Sequence, residues 1–203
     1  MSLWRGPAPL VLASKSAARR AVLEAAGFPL DLVPAQVDER TIERGLPEGA
    51  GPDDVARLLA QAKALAVSAQ IGPERYVIGA DQVLAVGGTL FHKAPDRAAA
   101  KAQLQRLQGR THALHSGLAL VQGENVLFET VETARLTMRP LSEAAIEAYL
   151  DAAGPGILGS VGCYQLESLG VHLFERIEGD HFTILGLPLL PLLGALRREG
   201  VLS

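Results

Sequence analysis

Hydroxyl and cationic side chains are concentrated in one short segment of the chain, Ser14-Lys15-Ser16-Ala17-Ala18-Arg19-Arg20. The segment follows a short apolar run and precedes a helical pattern, so it is predicted to lie at the start of a helix. Free backbone N–H groups at a helix N-terminus attract anions, whereas cations there oppose the helix dipole. Cations retained at this cost suggest an anionic ligand. A solvated basic turn is the alternative, and this segment alone does not decide between the two.

An aspartate lies inside a segment whose pattern is typical of a central strand. Asp81 interrupts the apolar run Tyr76–Val86 at Gly79-Ala80-Asp81-Gln82-Val83. A charge in such a strand is costly unless it is paired or bound to a metal, so Asp81 is predicted to be functional. The alternative is a strand end that reaches solvent.

Further charged residues lie next to other predicted elements: the acids of Val37-Asp38-Glu39-Arg40, Lys93 beside Pro95, and Gly109-Arg110-Thr111-His112. Each is a weak signal alone. Together, cations suited to phosphates and carboxylates suited to a hard metal favour phosphoryl chemistry, because Mg²⁺ is usually held by carboxylates and substrate phosphates. These residues leave a hydrolase, a kinase and a nucleotide-binding protein open.

The hydropathy pattern predicts the elements that position these residues. Strands are expected at residues 10–13, 30–33, 76–86, about 112–121, about 126–138 and 171–177. Helices are expected up to about residue 26, from residues 53 and 95, over 142–153 and at the end of the chain, with a loop over 41–51. Strands and helices mix without strict alternation, which predicts an α/β fold with a mixed β-sheet and flanking helices.

Length, composition and charge exclude several classes of protein. The chain has 203 residues, 19 Lys+Arg against 22 Asp+Glu and a net charge of -3, which suits a single domain over residues 1–203 or two small lobes sharing a core. A mildly acidic surface argues against a nucleic-acid duplex binder, and 4% aromatic residues argue against a base-stacking platform. The longest apolar run, 184–196, contains two prolines and is too short for a membrane span.

Several apparent motifs are not expected to carry chemistry. Gly154-Pro155-Gly156-Ile157-Leu158-Gly159 fits a dinucleotide pattern, but it follows a helical stretch instead of a strand and is expected to be a flexible loop. His112 and His115 are three apart in a predicted strand, so they point to opposite faces and make a poor metal pair. The single cysteine, Cys163, rules out an intrachain disulfide, fits a reducing cytoplasm and is expected to be a buried structural thiol.

Over nearly its whole length the sequence resembles the Maf family of nucleoside triphosphate pyrophosphatases. The matching motifs are LASKSAARR (12–20), VDER (37–40), AQAKALA (60–66), VIGADQV (77–83), HKAPDR (92–97), LQGRTH (107–112) and FERIEGDHFTILGLPL (174–189). The resemblance implies two lobes around a deep central cleft, often in a homodimer. It also implies hydrolysis of a nucleoside triphosphate to a monophosphate and pyrophosphate with Mg²⁺ or Mn²⁺, in the cytoplasm, linked to clearing non-standard nucleotides and to septum formation.

The resemblance also implies roles for individual residues. Triphosphate contacts are assigned to Ser14, Arg19, Lys63 and Lys93, and the neighbouring Ser16 and Arg20 join them as substrate-binding candidates. Asp81 matches the proton acceptor and a metal ligand, and Glu39 matches a second carboxylate that binds the metal. Lys63 lies on a helix with an apolar face, where a plain surface lysine is the alternative.

Base choice is predicted from three further positions. Gln82 and Glu167 form a Gln/Glu pair that resembles the 7-methyl-GTP pyrophosphatase branch of the family, whereas Ala18 stands where that branch often has a bulky aromatic residue. A carboxylate accepts both neighbouring donors of guanine, N1–H and the N2 amino group. The alternatives are a pyrimidine-preferring (dTTP/UTP) enzyme, an inosine triphosphate pyrophosphatase-like enzyme, and a nucleotide-binding regulator of septum formation without turnover.

Overall fold

The computed structural model describes residues 3–203. Its strands are β1 (Leu10–Leu12), β2 (Leu30–Leu32), β3 (Tyr76–Val86), β4 (Thr89–Phe91), β5 (Thr111–Gln122), β6 (Asn125–Met138) and β7 (Phe174–Glu178). Its α-helices are α1 (Ala17–Ala25), α2 (Glu39–Arg44), α3 (Pro52–Ile71), α4 (Arg97–Leu107), α5 (Glu143–Ala153), α6 (His181–Ile184) and α7 (Leu189–Arg198). Three 3-10 segments, Pro155–Gly159, Val161–Cys163 and Leu169–Leu173, lie between α5 and β7.

The strands form a mixed sheet. Hydrogen bonds join them in the order β2-β1-β3-β5-β6-β7, and β4 also pairs with β3. The pairs β1–β2 and β1–β3 are parallel, whereas β3–β4 and β6–β7 are antiparallel. The predicted α/β fold with a mixed sheet and flanking helices is therefore confirmed.

Two compact units are distinguished within the chain. The first comprises the described residues up to Gln82 together with Ser116–Glu132 and Asp180–Ser203, and the second comprises Val83–His115 and Thr133–Gly179. The three longest strands, β3, β5 and β6, each contribute residues to both units. Within residues 3–203, no helix is both long and apolar enough to cross a membrane.

The core of the first unit has two parts because residues alternate between the faces of its strands. Leu10 and Leu12 of β1 pack in a cluster with residues of α1 and α7. Val11 and Ala13, from the same stretch, pack in a second cluster with alanines of α3. Both faces of β1 are thus apolar and covered, as expected of a strand that is parallel to its neighbours.

Helix α3 lies unusually close to the sheet because glycines face it. A Cβ atom at Gly79 of β3 would lie 2.0 Å from the carbonyl oxygen of Ala60, and one at Gly117 of β5 would lie 2.2 Å from that of Ala56. The helix meets these strands through alanines, including Ala64. Backbone therefore packs directly on backbone, and no side chain larger than hydrogen fits at either strand position.

Three local predictions are corrected by the structure. The expected loop 41–51 begins as helix α2, because the Asp38 carboxylate accepts a hydrogen bond from Thr41 N at 3.1 Å and caps it. The expected flexible loop at 154–159 is a 3-10 helix, with Pro155 at its first position. The late strand starts at Phe174 and not at Val171, because a 3-10 helix extends to Leu173.

The cysteine of the second unit is buried, as predicted. Cys163 has no exposed surface, and burial raises the pKa of its thiol to about 11. The thiol is therefore protonated at neutral pH, which disfavours a nucleophilic role.

We expect Gly79→Ala to destabilise the protein by about 3 kcal/mol, because the added methyl group meets helix backbone that cannot move independently of the helix. The free energy of unfolding in urea measures the change. Gly156→Ala is the matched control, since a Cβ there has no heavy atom within 4 Å. Equal stability of the two variants would contradict this account of the packing.

We expect His112 to make stability fall as the pH drops from 6.5 to about 4. The side chain is 2% exposed, and burial lowers its pKa to about 4 from an ordinary 6.5. Between these two pH values the unfolded chain takes up a proton that the folded protein does not. The free energy of unfolding therefore falls by about 3 kcal/mol from pH 6.5 to about 4. His112→Gln should flatten the pH dependence of the unfolding free energy, whereas His92→Gln, at an exposed position of the same unit, should leave it unchanged.

Candidate active site

Two serines build the turn between β1 and α1. The Ser14 hydroxyl accepts hydrogen bonds from Ser16 N at 3.2 Å and from Arg19 Nη1 at 3.3 Å. The Ser16 hydroxyl caps α1 by accepting from Arg19 N at 3.3 Å. Both predicted hydroxyls thus shape the start of the helix, which contains no acidic residue in its first turn.

The side chain of Arg19 turns inward from α1. Its Nε donates to the carbonyl of Gly186 at 2.8 Å, and its Nη1 donates to the carbonyl of Ala80 at 2.8 Å. Burial lowers the pKa of this guanidinium from its ordinary value, and the charges of Asp81 and Glu39 act in the opposite direction. Arg19 therefore sits in the field of both predicted carboxylates.

The neighbouring residues of the same turn have different surroundings. Arg20 pairs with Glu24 one helical turn along α1, with Nε and Oε1 2.7 Å apart and both side chains about half exposed. Ala18 is partly buried, whereas Lys15 is exposed. Of the two arginines, only Arg19 is held among the residues around Asp81.

Lys63 joins the two predicted carboxylates. Its ammonium lies 2.6 Å from Oδ1 of Asp81 and 2.6 Å from Oε1 of Glu39. The side chains of Lys63 and Asp81 are each 12% exposed, whereas that of Glu39 is 50% exposed. Because a nearly buried charge without a partner is strongly destabilising, Lys63 and Asp81 depend on each other. Lys63 is not the plain surface lysine that its helix pattern allowed.

The local fold explains how these three charges meet. Asp81 is two residues after Gly79 on β3 and so points to the same face, toward α3. Lys63 lies on α3 between Ala60 and Ala64, the residues that approach Gly79 most closely. Glu39 is the first residue of α2, which packs against α3.

Two carboxylates that converge on one cation fit a hard divalent metal. Oxygen ligands are what Mg²⁺ and Mn²⁺ prefer, and Mg²⁺ commonly uses one or two carboxylates and takes further ligands from phosphates and water. Across residues 3–203 no group of three or more His, Cys, Asp or Glu side chains could hold a metal. Asp81 and Glu39 would supply two oxygen ligands to such a metal, and substrate phosphates and water could supply others.

Gln82 is anchored by its amide nitrogen. Nε2 lies 2.9 Å from the Ser116 hydroxyl, 3.1 Å from the Thr183 carbonyl and 3.0 Å from the Ile184 carbonyl. Carbonyls only accept hydrogen bonds, so they fix which end of the amide faces them. The side-chain oxygen of Gln82 therefore points away from the Thr183 and Ile184 carbonyls.

Two predicted residues lie in the second unit. Lys93 is exposed between β4 and α4, and Glu167 is exposed between the second and third 3-10 segments. The residues that the structure brings together are Ser14, Ser16, Arg19, Glu39, Lys63 and Asp81, all in the first unit. Gln82 follows Asp81 on β3, but its side chain contacts Ser116 and two backbone carbonyls instead. The roles of Lys93 and Glu167 stay predictions.

Some residues that support this site were not predicted from the sequence. Ser116 is fully buried, and its hydroxyl accepts from Gln82 and donates to the Thr183 carbonyl at 2.7 Å. Gly186 supplies the carbonyl that holds Arg19. A polar residue inside the apolar run of β5 was the available signal for Ser116, whereas a backbone carbonyl leaves no mark on the sequence.

Comparisons with known proteins agree on one family. The Maf-like protein model matches residues 9–199. A "Nucleoside triphosphate pyrophosphatase" of Rhodopseudomonas palustris is 57% identical over 206 residues and one of Nitrobacter hamburgensis is 56% identical over 205, each covering 100% of both chains. A "7-methyl-GTP pyrophosphatase" of Rhizobium etli is 52% identical over 96% of this chain and 98% of its own length.

Solved structures overlap less. The HAM1 protein of Coxiella burnetii is 17% identical over 64% of this chain and 72% of its own, with a TM-score of 0.40, which adds nothing to the fold already described. The family match covers almost the whole chain and includes every predicted site residue. The chain therefore belongs to the family of Maf-like proteins.

Proposed function

We propose that this protein hydrolyses a nucleoside triphosphate to a nucleoside monophosphate and pyrophosphate. The observation that carries the proposal is the contact of Asp81 and Glu39 with one cation, at 2.6 Å each, beside the inward-turned Arg19. Full-length relatives bear the name of this activity. The functional unit is taken as one Maf-like domain formed by the whole chain.

The triphosphate is expected to bind through the β1–α1 turn and the cations around it. Helix α1 presents free backbone N–H groups at its N-terminus, which favour an anion. Arg19 donates to protein carbonyls through Nε and Nη1, and its Nη2 makes no hydrogen bond to the described residues. The two N–H groups of Nη2 are therefore left for a phosphate oxygen. Lys63 and Lys93, the latter a residue of the second unit, would add positive charge for the phosphates. Such contacts do not distinguish one base from another, because all nucleoside triphosphates carry the same phosphates.

In the reaction, water attacks the α-phosphorus. The new bond forms between the water oxygen and phosphorus, the bond to the β-phosphate oxygen breaks, and pyrophosphate leaves with that electron pair. Asp81 accepts the proton of the attacking water, and Arg19 and Lys63 stabilise the charge that develops on the leaving group. Bound Mg²⁺ or Mn²⁺, held by Asp81 and Glu39, would supply neutralisation of phosphate charge and polarise the water.

The base is proposed to be of the guanine type, including methylated guanine. Glu167 offers two acceptors to the N1–H and N2 amino donors, and the anchored Gln82 has only its acceptor end left for a ligand. N7-methylation would add positive charge to the ring and strengthen binding to a carboxylate. The name of the Rhizobium etli relative supports the same choice, although Ala18 offers no ring for stacking.

The proposed cellular location and role of the protein follow from the proposed substrate. Nucleoside triphosphates are cytoplasmic metabolites, so a cytoplasmic location is proposed, with clearance of non-standard nucleotides as the role. A link to septum formation and assembly as a homodimer stay predictions of the family resemblance.

The test is pyrophosphate release from a panel of nucleoside triphosphates with Mg²⁺, using wild type and Asp81→Asn. We expect turnover by wild type and a loss of about 10² to 10⁴ in Asp81→Asn, as for removal of a general base. Asp151→Asn is the matched control, because its carboxylate pairs with Arg97 at a largely exposed position. Nucleotide binding without pyrophosphate release by wild type would favour a regulator instead.

We expect Glu167→Gln combined with Gln82→Thr to shift base preference from guanine-type nucleotides toward pyrimidines. The measurement is the ratio of kcat/KM for 7-methyl-GTP to that for UTP in wild type and double variant. Since Gln82 also anchors Ser116 and the Thr183 carbonyl, the melting temperature of each variant is measured alongside. An unchanged ratio in a folded variant would show that these side chains do not read the base, and would leave the hydrolase assignment standing.

A further inference from the structure

We propose that Lys63 is an internal counter-ion that keeps a divalent metal away from Asp81 and Glu39 until a triphosphate draws its ammonium group away. The inference rests on the proposed function, because it concerns how the same site is loaded. It adds a second role to Lys63 beyond contact with phosphate.

The first support is geometric. The Lys63 ammonium contacts one oxygen from each carboxylate at 2.6 Å, so it lies where a cation shared by both would have to bind. The contact with Asp81 is largely shielded from water, with each side chain 12% exposed. A metal that binds there must break this ion pair, and in such surroundings the interaction is only weakly screened by salt.

The second support is the charge of the cluster. Lys63 and Arg19 contribute two positive charges, and Asp81 and Glu39 contribute two negative charges, so the four groups sum to zero. A divalent metal that entered alone would leave a net excess of two positive charges in a partly buried place. A triphosphate brings several negative charges, so metal and nucleotide together are accommodated better than the metal alone.

The third support is that Lys63 combines a fixed backbone with a flexible side chain. Its helix is fixed against β3 and β5 by the contacts at Gly79 and Gly117, so its backbone cannot retreat. Its side chain has a flexible four-carbon stem and three rotatable donors, so the ammonium can move from carboxylate to phosphate while the helix stays in place. The exchange therefore needs a change of side-chain rotamer and no change of fold.

The second unit offers a matched control. Lys101 of α4 also contacts two carboxylates, with its ammonium 2.6 Å from Oε1 of Glu143 and 2.7 Å from Oε1 of Glu147. The Glu143 side chain is 71% exposed, and Glu147 also pairs with Arg97. The ion-pair pattern is the same, but the surroundings are more solvated and a second cation remains when the lysine is removed.

The experiment is titration of the full chain with Mn²⁺ alone, followed by the electron paramagnetic resonance signal of free Mn²⁺. Lys63→Met should bind Mn²⁺ at least about tenfold more tightly than wild type, since one unit of positive charge at the site is gone. Lys101→Met should match wild type. Adding Asp81→Asn to Lys63→Met should abolish the gain, which ties it to this carboxylate. Lys63→Gln, which keeps a polar head, serves if Lys63→Met does not fold.

A second readout concerns the coupling. Saturating α,β-methylene-GTP, a triphosphate that cannot be cleaved at the reacting bond, should tighten Mn²⁺ binding to wild type by about tenfold or more, and by less in Lys63→Met. Equal Mn²⁺ affinity of wild type and folded Lys63 variants overturns the proposal, as does an equal gain in Lys101→Met. Pyrophosphate release by wild type is scored separately, so failure of this inference and failure of the proposed function are distinguished.

Discussion

The close packing of α3 on β3 and β5 is the constraint on which the rest of the site depends. Gly79 and Gly117 remove the side chains that would hold helix and sheet apart, and alanines of α3 fill the contact. Asp81 points to the same side of β3 as Gly79, so a lysine on the facing turn of α3 meets it at 2.6 Å. A wider helix–sheet spacing would leave both charges nearly buried and unpaired, which costs several kcal/mol.

Once α3 is fixed, the other charged and polar groups are held mainly by backbone carbonyls. Arg19 donates to Ala80 and Gly186, and Gln82 donates to Thr183 and Ile184, so the β1–α1 turn, β3 and the segment after β7 are tied to one another. Carbonyl acceptors satisfy these donors without adding charge. The charges that interact with Asp81 therefore include Lys63 and Arg19, while the polar groups around them are satisfied by carbonyls.

The sequence predicted those parts of the arrangement that show a hydropathy pattern, and those residues that interrupt one. Strand β3 follows from an apolar run and β5 and β6 from β-like patterns, and Asp81 stands out because it breaks the run of β3. Helix α2 was missed because six residues with no buried side chain have no apolar period, although Asp38 had a capping residue's chemistry. That Arg19 turns inward while Arg20 pairs with Glu24 depends on carbonyls distant in sequence, which no local pattern encodes. The roles of Lys93 and Glu167 come from residue chemistry and the family resemblance, and they stay predictions.

Two lysines show why residue type and contact distance do not by themselves define a site. Lys63 and Lys101 each contact two carboxylates at nearly equal distances. The Lys101 and Glu143 side chains are 27% and 71% exposed, so water screens that ion pair and it contributes little. The Lys63 and Asp81 side chains are each 12% exposed beside the helix–sheet contact, so that ion pair is screened less, although Glu39 is half exposed. The burial of Lys63 and Asp81, next to the close helix–sheet contact, is what distinguishes their ion pair from the one between Lys101 and Glu143.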